Sequence, residues 1–307
     1  MHRRTLLKML LGSGCASLTM PNSAQAAAPS EALFSSLRKS PRMPVLFLGH
    51  GSPMNAIEDN PYHRSWQALG AEFGAHSGAK YPTPQLILCI SAHWLTRGWH
   101  LTAMDAPKTI HDFGGFPQAL FDQQYPAPGA PAAAREISRS ISAPPIGLDT
   151  HEWGLDHGTW SVLKPMFPDA KVPVVQLSMD YSRPPAQHFA VGQQLARLRD
   201  HGVLIVGSGN IVHNLRAMKW GGTGPTPVYD WATEFDQKVA NHVEHGQLPV
   251  LVDFQMLGQV SQLAHPTYEH YLPLLYAAGA ASSTDKVRFF NADFQGASIS
   301  MRSVVWS

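Results

Sequence analysis

The stretch VLFLGHGSP, residues 45–53, joins an apolar run to a histidine that lies between two glycines. Its apolar residues, from Val45 to Leu48, predict a buried β-strand. The residues that follow are typical of a turn, so His50 is expected where the strand ends. The glycines allow a sharp turn and leave room beside the imidazole. A histidine in this place can be a metal ligand, a catalytic base or a buried core residue, and the stretch alone leaves all three open.

Similar apolar runs recur along the chain and alternate with helical patterns. The predicted strands cover 44–49, 84–91, 172–179, 203–209, 287–294 and 299–306. The predicted helices cover 60–73, 130–142, 183–202, 229–246 and 267–281, and a long ordered loop is expected at 98–128. Continuous apolar strands between helices favour an α/β fold, with a mostly parallel central sheet and helices on both faces. We expect one domain, covering 44–307.

The composition favours a folded domain without a nucleic-acid partner. Of the 307 residues, 44% are hydrophobic, and the formal net charge is only +1. No basic stripe occurs beyond the N-terminus, as nucleic-acid binding would require. The sixteen histidines are many beside twenty-two acidic residues. Most of them are expected at the surface, but such a surplus also fits metal or proton chemistry.

The first 26 residues have the pattern of a signal peptide. A basic start with Arg3 and Arg4 precedes an apolar stretch, and Ala24-Gln25-Ala26 fits an A-x-A cleavage site. The twin arginine resembles a Tat signal, which predicts a periplasmic or secreted protein if the signal is used and a cytoplasmic one if it is not. Lipoprotein cleavage before Cys15 is a weaker alternative, because GSGC lacks the expected leucine. Residues 27–43 are expected to form a linker or N-terminal arm.

Cleavage near Ala26 leaves Cys89 as the only cysteine. An internal disulfide and a cysteine-rich zinc site are then excluded. No segment after the signal is long and apolar enough to be expected to span a membrane.

Histidine follows a predicted strand three times. His93 comes just after the strand at 84–91, and His213 follows the strand at 203–209, as His50 follows the first strand. In open α/β sheets, ligands bind outside the carboxyl ends of the strands. We therefore expect a shared metal site at this edge of the sheet. The alternative is that each histidine separately satisfies a backbone partner.

Further candidates lie in three other motifs. THEWGLDHGTW contains His157, which Asp156 can orient, and TIHDFGG contains His111 and Asp112 on the long loop. HPTYEHYLP contains Glu269 and His270, which point about 100° apart if the segment is helical, so only one would face the site. Helix capping by Glu269 and loop stabilisation by Asp112 are the alternatives.

Other common active sites are missing their signatures. The sequence has no G-x-G-x-x-G after a strand, no Walker A motif, no G-x-S-x-G and no H-E-x-x-H. A non-haem metal site built from dispersed histidines is the best interpretation of these residues.

Six motifs in order, from about residue 43 to the C-terminus, resemble the DODA-type extradiol aromatic ring-opening dioxygenases. The motifs are LFLGHGSPMNAIEDN, SAHWLTRG, TIHDFGGFPQALFDQQYPAPG, WGLDHGTWSVL, GSGNIVHNLR and PTYEHYLPLLYAAGA. The resemblance implies an α/β fold with one metal in a cleft at the sheet edge. It also implies that a catechol such as DOPA reacts with dioxygen there and is opened to a muconic semialdehyde.

The resemblance also assigns roles to individual histidines. His50, His93 and His270 would be metal ligands. His213 would be a further ligand or the catalytic acid/base, and His157 would lie near the substrate as a second catalytic candidate. Candidates for substrate contact are Arg97, His111 and Asp112.

One divalent metal ion per chain is expected, and the ligand types leave both Fe(II) and zinc open. Extradiol cleavage usually needs Fe(II) in a site of two histidines and one carboxylate. A histidine-rich set suits zinc as well. We expect zinc as a common occupant and Fe(II) as the metal for turnover. Two rival functions are an exported zinc-dependent hydrolase, which would not take up oxygen, and a non-catalytic metal-binding protein on the same scaffold.

Overall fold

The computed structural model describes residues 34–219 and 226–307. The expected signal peptide at 1–26 and the first residues of the expected arm lie outside this part of the chain. The described part of that arm contacts the core. Phe34 and Leu37 are buried in it, and the amide of Ser40 donates to the carbonyl of Asp200. No helix within the described residues is both long and apolar enough to cross a membrane.

A mostly parallel sheet forms the centre of the domain, as the sequence predicts, and it has eight strands. The ten strands of the described residues are β1 Val45–Gly49, β2 Leu86–Thr96, β3 Trp99–Thr102, β4 Ile146–Asp149, β5 Val174–Asp180, β6 Val203–Gly209, β7 Val287–Phe290, β8 Phe294–Gln295, β9 Ile299–Ser300 and β10 Ser303–Trp306. The order in the sheet is β4-β3-β5-β2-β6-β1-β10-β7, and β8 pairs with β9 separately. The central pairs β5-β2, β2-β6 and β6-β1 are parallel. The carboxyl ends of β1, β2 and β6 therefore meet at one edge.

Helices cover the sheet on both faces. They are α1 Pro61–Gly70, α2 Gln118–Phe121, α3 Pro131–Ser140, α4 His157–Met166, α5 Pro185–Leu195, α6 Asp230–Glu244, α7 Gln259–Ala264 and α8 Leu272–Ala280, with 3-10 helices at Pro53–Ala56, Ala196–His201 and Leu248–Leu257. Successive residues of a strand point to opposite faces. Accordingly, Val45 and Phe47 pack in the core that includes α5, α6 and α8, whereas Leu46 and Leu48 pack in the core that includes α1 and α4. This confirms the predicted α/β fold class.

Several elements differ from the sequence prediction. The expected loop at 98–128 contains β3 and the short α2, and neither β4 nor α4 was predicted. The helix expected at 267–281 begins only at Leu272, with Pro273 in its first turn. A helix that began at 267 would place this proline in its interior, where proline has no N–H to donate and clashes with the preceding turn. Glu269 and His270 therefore lie in a turn and not on a helix.

Arg199 is a buried cation that ties three parts of the domain together. Its Nε donates to the carbonyl of Met43, just before β1, at 2.7 Å. Its Nη1 donates to the carbonyl of Ala280, at the end of α8, at 3.1 Å. The guanidinium also contacts both carboxylate oxygens of Asp285, at 2.6 and 3.0 Å. The side chains of Arg199 and Asp285 are only 1% and 5% exposed. Removing one partner would therefore leave a buried charge without compensation.

We expect Asp285→Asn to lower the free energy of unfolding by about 3–5 kcal/mol. Asp200→Asn is the matched control, because Asp200 pairs with Arg42 at 2.8 Å but the two side chains are 51% and 40% exposed. Loss of that exposed pair should cost at most about 1 kcal/mol. Urea unfolding followed by circular dichroism measures both variants against the wild type. Equal losses in the two variants would contradict the special role given to the buried pair.

Candidate metal centre

Five histidines line one cavity of about 350 Å³. They are His50, His93, His157, His213 and His270. Each comes from a different element at the same end of the domain: His50 follows β1, His213 follows β6, His157 opens α4 and His270 lies in the turn before α8. His93 lies within β2, where the pairing with β5 is irregular between Ile90 and Leu95. The structure thus brings together the five histidines that the sequence singled out as metal ligands or catalytic groups.

The hydrogen bonds of Ser208 determine the orientation of the His50 ring. The Ser208 hydroxyl donates to the carbonyl of Gly158 at 2.5 Å. Because a serine has only one O–H, its oxygen must accept from Nδ1 of His50, which lies 3.0 Å away. Nδ1 of His50 therefore carries the proton, and Nε2 presents a lone pair to the cavity.

Glu269 orients His270 in the same way. Nδ1 of His270 donates to Oε1 of Glu269 at 2.9 Å, which leaves Nε2 with a lone pair. The sequence predicted that only one of these two residues would face the site, and of the two only His270 lines the cavity. Because the segment is a turn and not a helix, the neighbouring side chains meet, and Glu269 contacts His270 from behind. Glu269 acts on the site through His270.

The three imidazoles of His50, His93 and His270 converge on one point. One ring nitrogen of each lies within 4.8 Å of the others. Nε2 of His93 is only 3.4 Å from Nε2 of His50, while Nδ1 of His93 lies 3.5 Å from Oδ2 of Asp112. Lone pairs that face one another in a buried cavity repel unless a cation lies between them. The donor set therefore fits a divalent metal ion, and neutral imidazole suits either zinc or Fe(II).

Burial keeps these three rings neutral, as metal binding requires. Loss of hydration is the largest cause that lowers the pKa of His50, His93 and His270 well below the ordinary value. The neighbouring imidazoles lower these pKa values further, since two positive rings so close together would repel. At neutral pH the rings are free of the protons that would compete with a metal.

Asp112 anchors His157 to the wall of the cavity. Oδ1 of Asp112 accepts the backbone amide of His157 at 2.9 Å and lies 3.0 Å from its Nδ1. Burial alone would raise the pKa of Asp112, but the contacts with His157 and His93 lower it to about 2. Asp112 is therefore an anion that holds two site histidines. Asp156, the partner suggested by sequence, instead caps α4 by accepting the amide of Thr159 at 3.1 Å.

His213 stacks on His270 and lies apart from the other two converging rings. The ring centroids are 3.4 Å apart and the planes differ by 7°. Within the described ranges, the potential ligand groups place His213 with Glu269 and His270, not with His50 or His93. Burial is the main cause that lowers the pKa of His213 to about 3, with smaller contributions from His265 and His157. His213 is thus a neutral group at the side of the three converging rings.

Two of the three predicted substrate contacts do not line the cavity. Arg97 is exposed between β2 and β3. His111 donates from Nε2 to the carbonyl of Gln123 at 2.9 Å and packs among aromatic rings, so it stabilises the loop. Only Asp112 lines the cavity.

Sequence reasoning missed the apolar wall of the cavity. Its residues are Phe113, Phe116, Leu215, Met218 and Ile299. Four of them lie within five residues of a predicted site residue, Asp112 or His213, so proximity in sequence was the available signal. The wall gives a flat, apolar surface on which an aromatic ring can pack.

Two glycines are required by the close packing of the site. Gly51 has φ of +56°, a conformation that other residues rarely adopt, and this lets the chain turn directly after His50. A Cβ at Gly158 would lie 2.4 Å from Oγ of Ser91 and 2.8 Å from Cδ2 of His93. The start of α4 can therefore approach the His93 ring only because His157 is followed by glycine.

Comparison with known proteins places these features in a family. The model of the family described as the catalytic LigB subunit of aromatic ring-opening dioxygenase matches residues 44–304. The chain is 50% identical over 272 residues to the 4,5-DOPA dioxygenase extradiol of Escherichia coli (strain K12), covering 87% of this chain and 96% of that protein. It is 34% identical over 263 residues to the Beta vulgaris enzyme of the same name, covering 84% and 94%. These matches confirm the resemblance seen in the six motifs.

A solved structure shares the fold. The crystal structure of an uncharacterized protein from Escherichia coli K12 superimposes with a TM-score of 0.73 at 43% sequence identity. The match covers 87% of this chain and 100% of that chain. The architecture is therefore that of a known, experimentally determined fold.

The geometry predicts that His270→Ala greatly reduces metal binding. Purified wild-type protein should bind one divalent ion per chain, whereas the variant loses one of three converging nitrogens and should bind at least about tenfold more weakly. Isothermal titration with zinc, and metal analysis after dialysis, measure this. His151→Ala is the control, because His151 is an exposed histidine with 75% of its side chain accessible. Unchanged zinc affinity in His270→Ala would show that this residue is not a ligand.

Proposed function

The chain belongs to the LigB family of aromatic ring-opening dioxygenases, and we propose that it cleaves a catechol such as DOPA, outside the diol, at one divalent metal ion. The observation that carries this proposal is the convergence of three neutral imidazoles beside an apolar wall. The names of the relatives from E. coli and Beta vulgaris support DOPA as the substrate.

His50, His93 and His270 would hold the metal through one ring nitrogen each. A bound Fe(II) ion would keep the catechol and dioxygen side by side and supply the electron transfer that no protein side chain offers. We propose Fe(II) as the metal for turnover and zinc as an occupant that the same nitrogens accept. The carboxylates of Asp112 and Glu269 would act behind the ligands, by fixing the orientation of the rings and raising their basicity.

The protein binds and orients the substrate through the apolar wall. Phe113 and Phe116 come from the loop that also carries Asp112, and Leu215 and Met218 follow His213. An aromatic ring packed between these side chains would direct its two hydroxyls toward the histidines. The cavity of about 350 Å³ has room for one ring with a short side chain.

His157 is the group best placed to take a proton from a catechol hydroxyl. Its Nδ1 lies 3.0 Å from the Asp112 carboxylate, whose negative charge would stabilise the imidazolium that forms when Nε2 accepts the proton. His213 lies on the other side of the ligand rings, stacked on His270. Because its pKa is lowered to about 3, we propose that His213 binds the substrate as a neutral imidazole and gives up a proton readily once it is protonated.

The metal dependence of oxygen uptake tests the proposed reaction. Protein stripped of metal and reloaded anaerobically with Fe(II) should consume oxygen with L-DOPA and form a yellow product, whereas zinc-loaded protein should do neither. An oxygen electrode and visible absorbance measure both. Hydrolysis of an ester with zinc and no oxygen uptake would favour the rival zinc hydrolase. Metal binding without turnover of L-DOPA or catechol would favour the binding protein.

Variants of the two flanking histidines test their assigned roles. His157→Gln and His213→Gln should each lower kcat by about 10²–10⁴-fold, because proton transfer loses its positioned group. Both variants should still bind one metal ion, since neither residue belongs to the converging set. Steady-state kinetics with metal analysis of the same samples measures this, with His151→Gln as the control. Full turnover in either variant with metal bound would exclude that residue from catalysis.

A further inference from the structure

We infer that the cavity selects catechols by the charge of their side chain, accepting neutral or cationic groups and disfavouring a net negative one. The inference rests on the proposed function, because it concerns the same cavity and names its substrate class. The observations that support the inference are the charged and apolar groups that line the cavity and the contacts of the nearest cations.

The fixed charges on and directly behind the described walls of the cavity are negative. Asp112 is the one charged side chain apart from the histidines among the described lining residues, and its carboxylate is 18% exposed. Glu269 lies directly behind His270, at 2.9 Å from Nδ1. Among the described residues, neither lysine nor arginine lines the cavity. Residues 220–225, WGGTGP, contain no charged residue in their sequence.

The cations nearest in sequence to the cavity residues are used elsewhere or face the solvent. The guanidinium of Arg302, three residues after Ile299, donates to Asp236 at 2.6 and 2.8 Å. Lys219 donates to the carbonyl of Pro227 at 3.2 Å and lies over the ring of Tyr229. Arg216 follows Leu215 but is exposed and does not line the cavity. A substrate carboxylate would therefore find no ready counter-ion among the side chains that the structure describes.

The substrate side chain would extend along the apolar wall. A ring bound through its hydroxyls to the histidines would leave its substituent against the rest of the lining, which includes Phe116, Leu215 and Met218. Leu215 is 54% exposed, which places it at the mouth. A carboxylate against these apolar side chains loses hydration without gaining a hydrogen bond from them, and Asp112 repels it. An ammonium group is attracted to Asp112, and a neutral alkyl group gains from the apolar contact.

Three analogues of DOPA separate the charges on a constant ring. Dopamine lacks the carboxylate, 3-(3,4-dihydroxyphenyl)propionate lacks the ammonium, and 4-ethylcatechol lacks both. On the Fe(II)-loaded enzyme we expect kcat/KM for dopamine and 4-ethylcatechol to exceed that for the propionate by about tenfold or more, with L-DOPA between them. Binding to zinc-loaded protein, measured by isothermal titration, should follow the same order.

A charge placed at the mouth should reverse the preference. Leu215→Arg adds a cation at an exposed lining position and should raise kcat/KM for the propionate relative to dopamine by about tenfold. Met256→Arg is the matched control, because Met256 is 84% exposed and does not line the cavity, so its ratio should stay that of the wild type.

Different results would contradict the charge preference and the dioxygenase assignment. A wild-type enzyme that prefers the propionate, or binds it as tightly as dopamine, would overturn the charge preference. Absence of turnover with every catechol, while binding to the zinc-loaded protein keeps the expected order, would overturn the dioxygenase assignment and support the charge preference.

Discussion

The contact that each converging histidine makes through Nδ1 decides what the cavity can do. A neutral imidazole has one N–H, so directing it outward turns the lone pair of Nε2 inward. Ser208 fixes His50 in this way, Glu269 fixes His270, and Asp112 faces His93. The edge of the parallel sheet provides the positions, but these three partners provide the orientation. Without them, the same histidines could present donors to one another and would not form a set of ligands.

Both carboxylates at the centre act through imidazole rings. In the usual Fe(II) site of two histidines and one carboxylate, the negative charge touches the metal directly. Here the carboxylates of Glu269 and Asp112 lie beside Nδ1 of His270 and His93, respectively. Their negative charge therefore makes the other nitrogen of each ring more basic. The three converging rings themselves stay neutral, so a metal bound between them would keep its positive charge and be strongly electrophilic. The same arrangement leaves Asp112 at the cavity wall, where it acts on whatever the substrate carries besides its hydroxyls.

The sequence predicted the elements whose signal is local. The apolar runs of β1, β2, β5 and β6 are continuous, and three histidines at their ends could be assigned to one edge because parallel strands share it. It did not predict β3 and β4, which are four residues long and flanked by glycine and proline-rich segments. The contact of Glu269 with His270 was missed because the helix was started too early, ahead of Pro273. The pairing of Asp112 with His157 joins residues 45 positions apart, and only the folded chain brings them together.

Arg199 influences the spacing of two converging histidines, although it lies at the opposite end of the sheet. It binds the chain just before β1 and at the end of α8, and these are the two elements whose other ends lead to His50 and His270. A strand and a helix are stiff along their axes, so fixing one end of each limits how far the other ends can slide past one another. The separation of two of the three converging histidines is thus set partly by a guanidinium at the opposite edge of the sheet. In an enzyme built in this way, the geometry of the metal site depends on the lengths of a strand and a helix as much as on the residues around the ion.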